Sequence, residues 1–135
     1  MKPEQFIREF GMEKAREVVE GVPQGATHYG LRQYRQWEGR ILKTFTDESW
    51  RSTAVFGGNL RFIEDDCLCI QDLKRLVESV DQINAFDGGI KEAKEILSRI
   101  NKHGGKYATL FERPALEQAI HDYESIYGGG ESHAN

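Results

Sequence analysis

Residues 34–45, YRQWEGRILKTF, decide the fold that the sequence predicts. Residues 34–37 alternate between the two sides expected of a strand, and Glu38 and Gly39 follow them. A second strand-like run of residues extends from Arg40 to Phe45. A period of two is typical of a β-strand, and a polar residue beside glycine is typical of a tight turn. The stretch therefore predicts a β-hairpin.

This hairpin is the centre of a predicted four-stranded antiparallel meander that begins near Thr27. A turn at residues 47–48 leads into a strand over 50–56, and a turn at 57–59 leads into a last strand over 60–63. An antiparallel sheet with one apolar face needs a cover, which flanking helices provide.

Two short helices are predicted before the sheet. Phe6, Ile7 and Phe10 fall at helical spacing before Gly11, and a second apolar stripe extends to Gly21. The pair predicts a helical hairpin joined by one glycine. A helix, a glycine turn and a helix also resemble half of a DNA-reading motif, but the acidic outer face of the second helix would repel phosphate.

Three helices are predicted after the sheet. Apolar residues recur at spacings of three and four over 72–86, 90–103 and 114–127. The predicted class is thus α+β, with a single globular domain over 1–127. The glycine-rich tail 128–135 has no large apolar side chain and is predicted to be disordered.

Composition limits the kind of protein further. The chain has 135 residues, of which 39% are hydrophobic and 30% charged, which suits one folded domain of ordinary size. No uninterrupted run of about 18 apolar residues exists, so no membrane partner is expected. With two cysteines and no apolar leader, the sequence favours a reduced, cytoplasmic protein.

Charge is unevenly distributed along the chain. The whole carries a formal net charge of −4, whereas residues 29–63 hold six basic and three acidic side chains. That segment is therefore basic within an acidic protein, which favours a dipolar surface.

Two groups of residues suggest metal binding. Cys67 and Cys69 could supply two zinc ligands, but the four histidines lie at no finger or helical spacing to them, and small residues at a strand end are the other interpretation. Asp65 and Asp66, with Glu64, offer clustered oxygens, but neighbours on a strand point to opposite faces. No metal site is predicted, and these acids are expected to be solvated.

Catalytic patterns are absent from the sequence. It contains no nucleophile elbow, phosphate loop, zinc-protease helix or dinucleotide-binding glycine motif. Cys67 as a nucleophile assisted by His28 or His103 is the remaining enzymatic hypothesis, and nothing local indicates a lowered thiol pKa. The chain is predicted to have no catalytic residues and no cofactor.

The basic segment provides the predicted interaction surface. Its aromatic rings are interleaved with cations, a mixture found on nucleic-acid-binding surfaces and at protein interfaces. The same mixture also occurs in a sheet whose aromatic rings are buried in the core while the cations on the other face keep the sheet soluble. The predicted surface consists of Tyr34, Arg35, Trp37, Arg40, Lys43, Trp50 and Arg51.

Three stretches carry a resemblance to a group of proteins. Residues 6–21 (FIREFGMEKAREVVEG), 25–29 (GATHY) and 73–79 (LKRLVES) resemble short accessory proteins from early operons of temperate, lambdoid-type phages of enteric bacteria. The resemblance implies a cytoplasmic protein of an infected host that adjusts regulation or counters host defences, and it implies no site residues.

Together these features predict a non-enzymatic protein that binds a host or phage protein. The alternative is a nucleic-acid-binding regulator that uses the basic aromatic segment 29–63.

Overall fold

The computed structural model describes residues 1–53, 58–103 and 112–128. The chain divides into two compact units, Met1–Lys74 and Arg75–Asn135, and each is described by itself. The expectation of a single domain stays a prediction. All but the first residue of the tail predicted to be disordered lies outside the described residues.

The described residues form five helices and a five-stranded antiparallel sheet, which confirms the α+β class. The strand order is β4-β3-β2-β1-β5. In chain order the elements are α1 (Pro3–Glu20), β1 (His28–Gly30), β2 (Gln33–Trp37), β3 (Leu42–Thr46), β4 (Ser49–Ser52), α2 (Asn59–Asp66), β5 (Cys67–Cys69), α3 (Ile70–Asn84), α4 (Gly89–His103) and α5 (Glu112–Tyr127).

The predicted four-stranded meander is wrong in two respects. The sheet contains two strands, β1 and β5, that the prediction did not count as strands of their own. The predicted strand over 60–63 is part of helix α2. Phe62 and Ile63 are adjacent and both buried, which a helix permits and a strand with alternating faces does not. Of the strand predicted over 50–56, β4 holds the first part, and residues 54–56 lie outside the described ones.

The predicted pair of N-terminal helices is one helix, α1, interrupted at Gly11. This residue has φ 91° and ψ 163°, a conformation that is not helical and is open mainly to glycine. The predicted glycine joint is therefore confirmed, while the two segments form one kinked element. Phe6, Ile7, Ala15 and Val18 are its buried residues.

Strand pairing sorts the side chains of the sheet onto two faces. Arg35 lies opposite Thr44, and Trp37 lies opposite Leu42, so these four residues share what we call the Arg35 face. Tyr34 lies opposite Tyr29 on the other side of the sheet, which we call the Tyr34 face. Phe45 and Trp50, paired across β3 and β4, also belong to the Tyr34 face.

Helix α1 and the loop after it cover the Tyr34 face. The Tyr34 hydroxyl donates a hydrogen bond to the Val18 carbonyl at 2.7 Å, and Phe6 meets Tyr29 edge-on with ring centroids 6.0 Å apart. Farther along the face, the Trp50 indole N–H donates to the carbonyl of Gln24.

Helix α2 covers the Arg35 face. Leu42, Phe62, Ile63 and Cys67 form its apolar cluster, with Trp37 packed against them.

Arg35 is a buried cation within this layer, only 5% exposed. Its guanidinium donates to the Gly30 carbonyl at 3.3 and 3.2 Å and to the Thr44 hydroxyl oxygen at 2.8 Å. It also lies 4.8 Å from the centre of the Phe62 ring. Among the described residues no carboxylate pairs with it. Burial lowers its pKa from the ordinary value, while the Cys67 sulfur acts in the opposite direction.

The second unit is helical where it is described. Helices α4 and α5 pack with the end of α3 around Ile83, Ala93, Ile100, Leu116, Ala119 and Ile120. The Lys94 ammonium and the Glu124 carboxylate form an ion pair between α4 and α5. The apolar stripe predicted for 72–86 is buried at Leu76, Val77 and Val80, which confirms that helix and its orientation.

Within the described part of the chain, no helix combines the length and hydrophobicity that crossing a membrane requires.

We expect Gly11→Val to lower the free energy of unfolding of the first unit by about 1–2 kcal/mol. A β-carbon at Gly11 would meet no atom within 4 Å, so the cost comes from backbone strain alone. Both tryptophans, Trp37 and Trp50, lie in this unit, and urea unfolding followed by their fluorescence measures the change. Glu13→Val is the control, expected to cost less than about 0.7 kcal/mol as an exposed helical substitution. Equal effects of the two variants would contradict the positive φ.

We expect Arg35→Lys to cost about 1–3 kcal/mol by the same measurement, since one ammonium cannot reproduce the forked contacts to Gly30 and Thr44. Arg51→Lys is the matched control because Arg51 lies directly opposite Thr44 on β4 but is exposed. Its expected cost is close to zero. A harmless Arg35→Lys would show that the fork does not stabilise the sheet.

Candidate functional site

The structure does not bring the predicted interaction residues onto one surface. Tyr34, Lys43 and Trp50 belong to the Tyr34 face, whereas Arg35, Trp37 and Arg51 belong to the Arg35 face. Arg40 lies in the exposed turn between β2 and β3. The residues are separated because neighbours along a strand point to opposite sides of the sheet.

Several of these side chains are engaged within the protein. Arg35 is buried and has no place on an exposed surface. The polar atoms of Tyr34 and Trp50 donate to backbone carbonyls, and Trp37 packs against the cluster under α2. Only Arg40 and Arg51 among the seven are exposed. The predicted platform of stacking rings and free cations is therefore not assembled by these residues.

The two cysteines are free and lie on the Arg35 face of β5. Burial raises the pKa of the Cys67 thiol to about 11, against an opposing effect of the Arg35 guanidinium. His28 lies opposite Cys69 instead of Cys67. Burial also lowers the pKa of His28, although Asp72 acts against this. A neutral, buried thiol without a facing histidine does not suit a nucleophile, and the His103 side chain lies outside the described ones.

The acidic run lies at the end of a helix and directly before strand β5, so it is not itself on a strand. Glu64, Asp65 and Asp66 occupy the last turn of α2 and are exposed. Asp65 is 3.9 Å from the Arg61 guanidinium, a loose surface pair. Across the part of the chain that the structure describes, no three histidine, cysteine or acidic residues are placed to hold a metal.

A buried carboxylate in the second unit was not predicted. Asp122, 1% exposed, accepts hydrogen bonds from Ser79 at 2.7 Å and Gln118 at 2.9 Å and pairs with Arg75 at 3.2 Å. Because α3 and α5 both supply donors, this network fastens the two helices. Its oxygens are occupied, so it is a structural feature.

A groove of about 650 Å³ in the first unit is the strongest candidate for a binding site. Its deep lining is apolar and buried, formed by Phe6, Tyr29 and Leu68. Two large apolar side chains border it in solvent, Phe10 at 55% and Leu31 at 67% exposed. Clefts of this volume with apolar walls are typical of ligand sites in proteins.

The turn that carries Leu31 is strained. Gly30 pairs with Gln33, so Leu31 and Arg32 form a two-residue turn, with φ of 52° and 66°. Positive φ at both positions suits the twist of a hairpin, but asparagine and glycine are the residues that adopt it readily. Holding a leucine there costs backbone strain that no burial of its side chain offsets, and such outliers cluster at functional sites.

Charged groups of both signs surround the groove. Lys14 and Arg32 are the cations, and Asp65 and Asp66 are the anions. Lys14 makes a loose pair with Glu17 at 3.5 Å. Neither Arg32 nor Asp66 has an ion-pair partner among residues 1–53, 58–103 and 112–128.

Met1 is one of the residues that line the groove, and its amino group contacts the end of α2. It donates to the Asp65 and Cys67 carbonyls at 3.0 Å each, and to the Glu64 carbonyl at 3.2 Å. A cation at the carboxyl end of α2 satisfies exposed carbonyls and complements the helix dipole.

Sequence reasoning missed this site. Residues 29–32 (YGLR) carry no Asn-Gly or Asp-Gly signal for a hairpin turn. An exposed leucine cannot be recognised from a pattern that equally suits a buried one. Phe10 falls at the same helical spacing as the buried Phe6 and Ile7, yet it lies exposed next to the kink at Gly11.

Comparison of the chain with protein-family models, with curated proteins and with solved structures finds no match. The resemblance to phage accessory proteins therefore stays a prediction.

We expect only one of the two thiols to react rapidly with Ellman's reagent at pH 8 in the native protein. Cys67 is buried, and with a pKa of about 11 it holds roughly one thousandth of its population as thiolate, whereas Cys69 is half-buried. Cys69→Ser should abolish the fast phase, and Cys67→Ser should retain it. A fast phase in Cys69→Ser would contradict the buried position of Cys67.

The same pKa shift sets a pH dependence of stability. The folded thiol keeps its proton up to about pH 11, whereas the unfolded thiol loses it near pH 9.0, so its contribution is complete below pH 9.0 and is lost as pH rises to 11. The loss should be smaller in Cys67→Ser than in the wild type.

Proposed function

We propose that this chain is a non-enzymatic protein that acts by binding a segment of another protein in the groove beside the β1–β2 turn. The observation that supports it best is Leu31, a large apolar side chain held exposed at the groove by a strained backbone. Following the resemblance of its N-terminal residues, we propose a host or phage protein as the partner, in the cytoplasm of an infected enteric bacterium.

Three further features favour binding over catalysis. The candidate nucleophile Cys67 is buried with a raised pKa, and the buried carboxylate of Asp122 is fully hydrogen-bonded within the protein. The groove is lined by apolar side chains together with charged side chains of both signs. Such a mixture of apolar and polar groups is typical of protein interfaces.

The nucleic-acid alternative has less support. A stacking platform needs exposed rings beside cations, whereas the rings of Tyr29 and Tyr34 pack against each other at 5.1 Å and Trp50 packs against Phe45 at 5.2 Å. Of the cations, Arg35 is buried. If nucleic acid were nevertheless the ligand, binding would weaken steeply between about 50 and 200 mM salt.

We expect Leu31→Asn to abolish partner capture while leaving the fold intact or more stable. Asparagine tolerates a positive φ, so the free energy of unfolding should stay equal or rise by about 0.5–1 kcal/mol. The measurement is affinity capture from phage-infected cell extract on the immobilised full chain, with tryptophan-monitored unfolding of each variant.

Ile41→Asn is the matched control. Ile41 is also large, apolar and 51% exposed, but it lies in the turn between β2 and β3, away from the groove. A specific protein retained by the wild type and by Ile41→Asn, and lost with Leu31→Asn, supports the proposal. Equal retention by Leu31→Asn, or capture of nucleic acid alone, overturns it.

A further inference from the structure

Charge around the groove indicates what kind of segment it accepts. Arg32 and Asp66 both line it, and neither has an ion-pair partner within the described ranges. A purely apolar ligand would remove water from these charges without replacing it, which costs free energy. A ligand that carries one charge of each sign near its apolar part would not incur this cost.

Groove size separates a segment from a second copy of the chain. The groove volume of about 650 Å³ lies within the usual range for pockets that enclose one ligand. A stable dimer instead uses a broad surface, typically about 800 Å² on each partner. The apolar part of the site is confined to the groove and its two bordering side chains, Phe10 and Leu31. This favours insertion of a few side chains over a broad flat contact.

We infer that the groove binds a protein segment in which a leucine or an aromatic residue is flanked by an acidic residue on one side and a basic residue on the other. The apolar residue enters between Phe10 and Leu31, the acidic residue pairs with Arg32, and the basic residue pairs with Asp66. This inference rests on the proposed function, and it names the chemistry of the partner.

Selection from a display library of random peptides on the immobilised full chain tests the motif. We expect enrichment of peptides with a leucine or aromatic residue between opposite charges. The same selection on Arg32→Glu should lose the preference for the acidic residue, and on Asp66→Lys it should lose the preference for the basic one. No enrichment, or enrichment of uncharged or single-sign motifs, overturns the inference.

A defined peptide then tests each ion pair. Its core is glutamate, leucine, phenylalanine and lysine, and its affinity is measured by fluorescence anisotropy. Arg32→Glu should weaken binding about fivefold, as expected for a partly exposed pair, and exchange of the peptide glutamate for lysine should restore it. Arg40→Glu is the control, since it places the same charge change in a turn outside the groove. An equal loss with Arg40→Glu would show a general charge effect and overturn the pairing.

The outcomes separate this inference from the proposed function. A captured host or phage protein that depends on Leu31, without any peptide motif, would leave the function standing and overturn the inference. Enrichment of the peptide motif without capture of a protein would leave the inference standing and overturn the proposed function. The remaining possible occupant is a second copy of the chain, and sedimentation velocity tests it. Self-association that Leu31→Asn abolishes would assign the groove to a second copy and overturn the inference.

Discussion

The first unit depends on a single buried cation. The Arg35 guanidinium, on β2, holds the Gly30 carbonyl of β1 and the Thr44 hydroxyl of β3, and the Phe62 ring of α2 lies against it. Removing an ion from water costs several kcal/mol unless its donors are satisfied. With no carboxylate partner among the described residues, these neutral acceptors and the ring must hold Arg35. Three strands and one helix are thereby fixed around one side chain.

The groove follows from that constraint. Gly30 accepts from Arg35, pairs with Gln33 on one side and pairs with Cys67 on the other. A β-carbon at Gly30 would lie 2.5 Å from the Cys67 sulfur and 2.7 Å from the Asp66 carbonyl oxygen, so only glycine fits. With Gly30 fixed in this way, the next two residues must turn within two positions. Their positive φ values and the exposure of Leu31 result from this close packing of strands, and the proposed binding groove lies beside them.

Among the described residues, each unit buries one charged side chain, and the two are satisfied differently. Arg35 contacts neutral acceptors and a ring, whereas Asp122 meets the partly exposed Arg75 and two neutral donors, Ser79 and Gln118. In both cases the buried ion joins different elements, since its polar atoms need partners that its own element does not supply alone. Neither ion lines the groove beside the β1–β2 turn, so both serve the fold, and the proposed recognition depends on exposed apolar and charged groups.

Sequence alone determined the α+β class, the glycine joint at residue 11, the turn at residues 47–48 and the three C-terminal helices. These features depend on local periodicity and on the backbone preferences of glycine, and both can be read from residues that are close in sequence. Tertiary structure decided that residues 60–63 are helical, because the Arg35 face needed an apolar cover. It also decided that the cation Arg35 is buried and the apolar Leu31 is exposed, the opposite of what their polarities favour. Burial of a cation and exposure of a leucine depend on partners brought by strand pairing, and no short stretch of sequence contains that information.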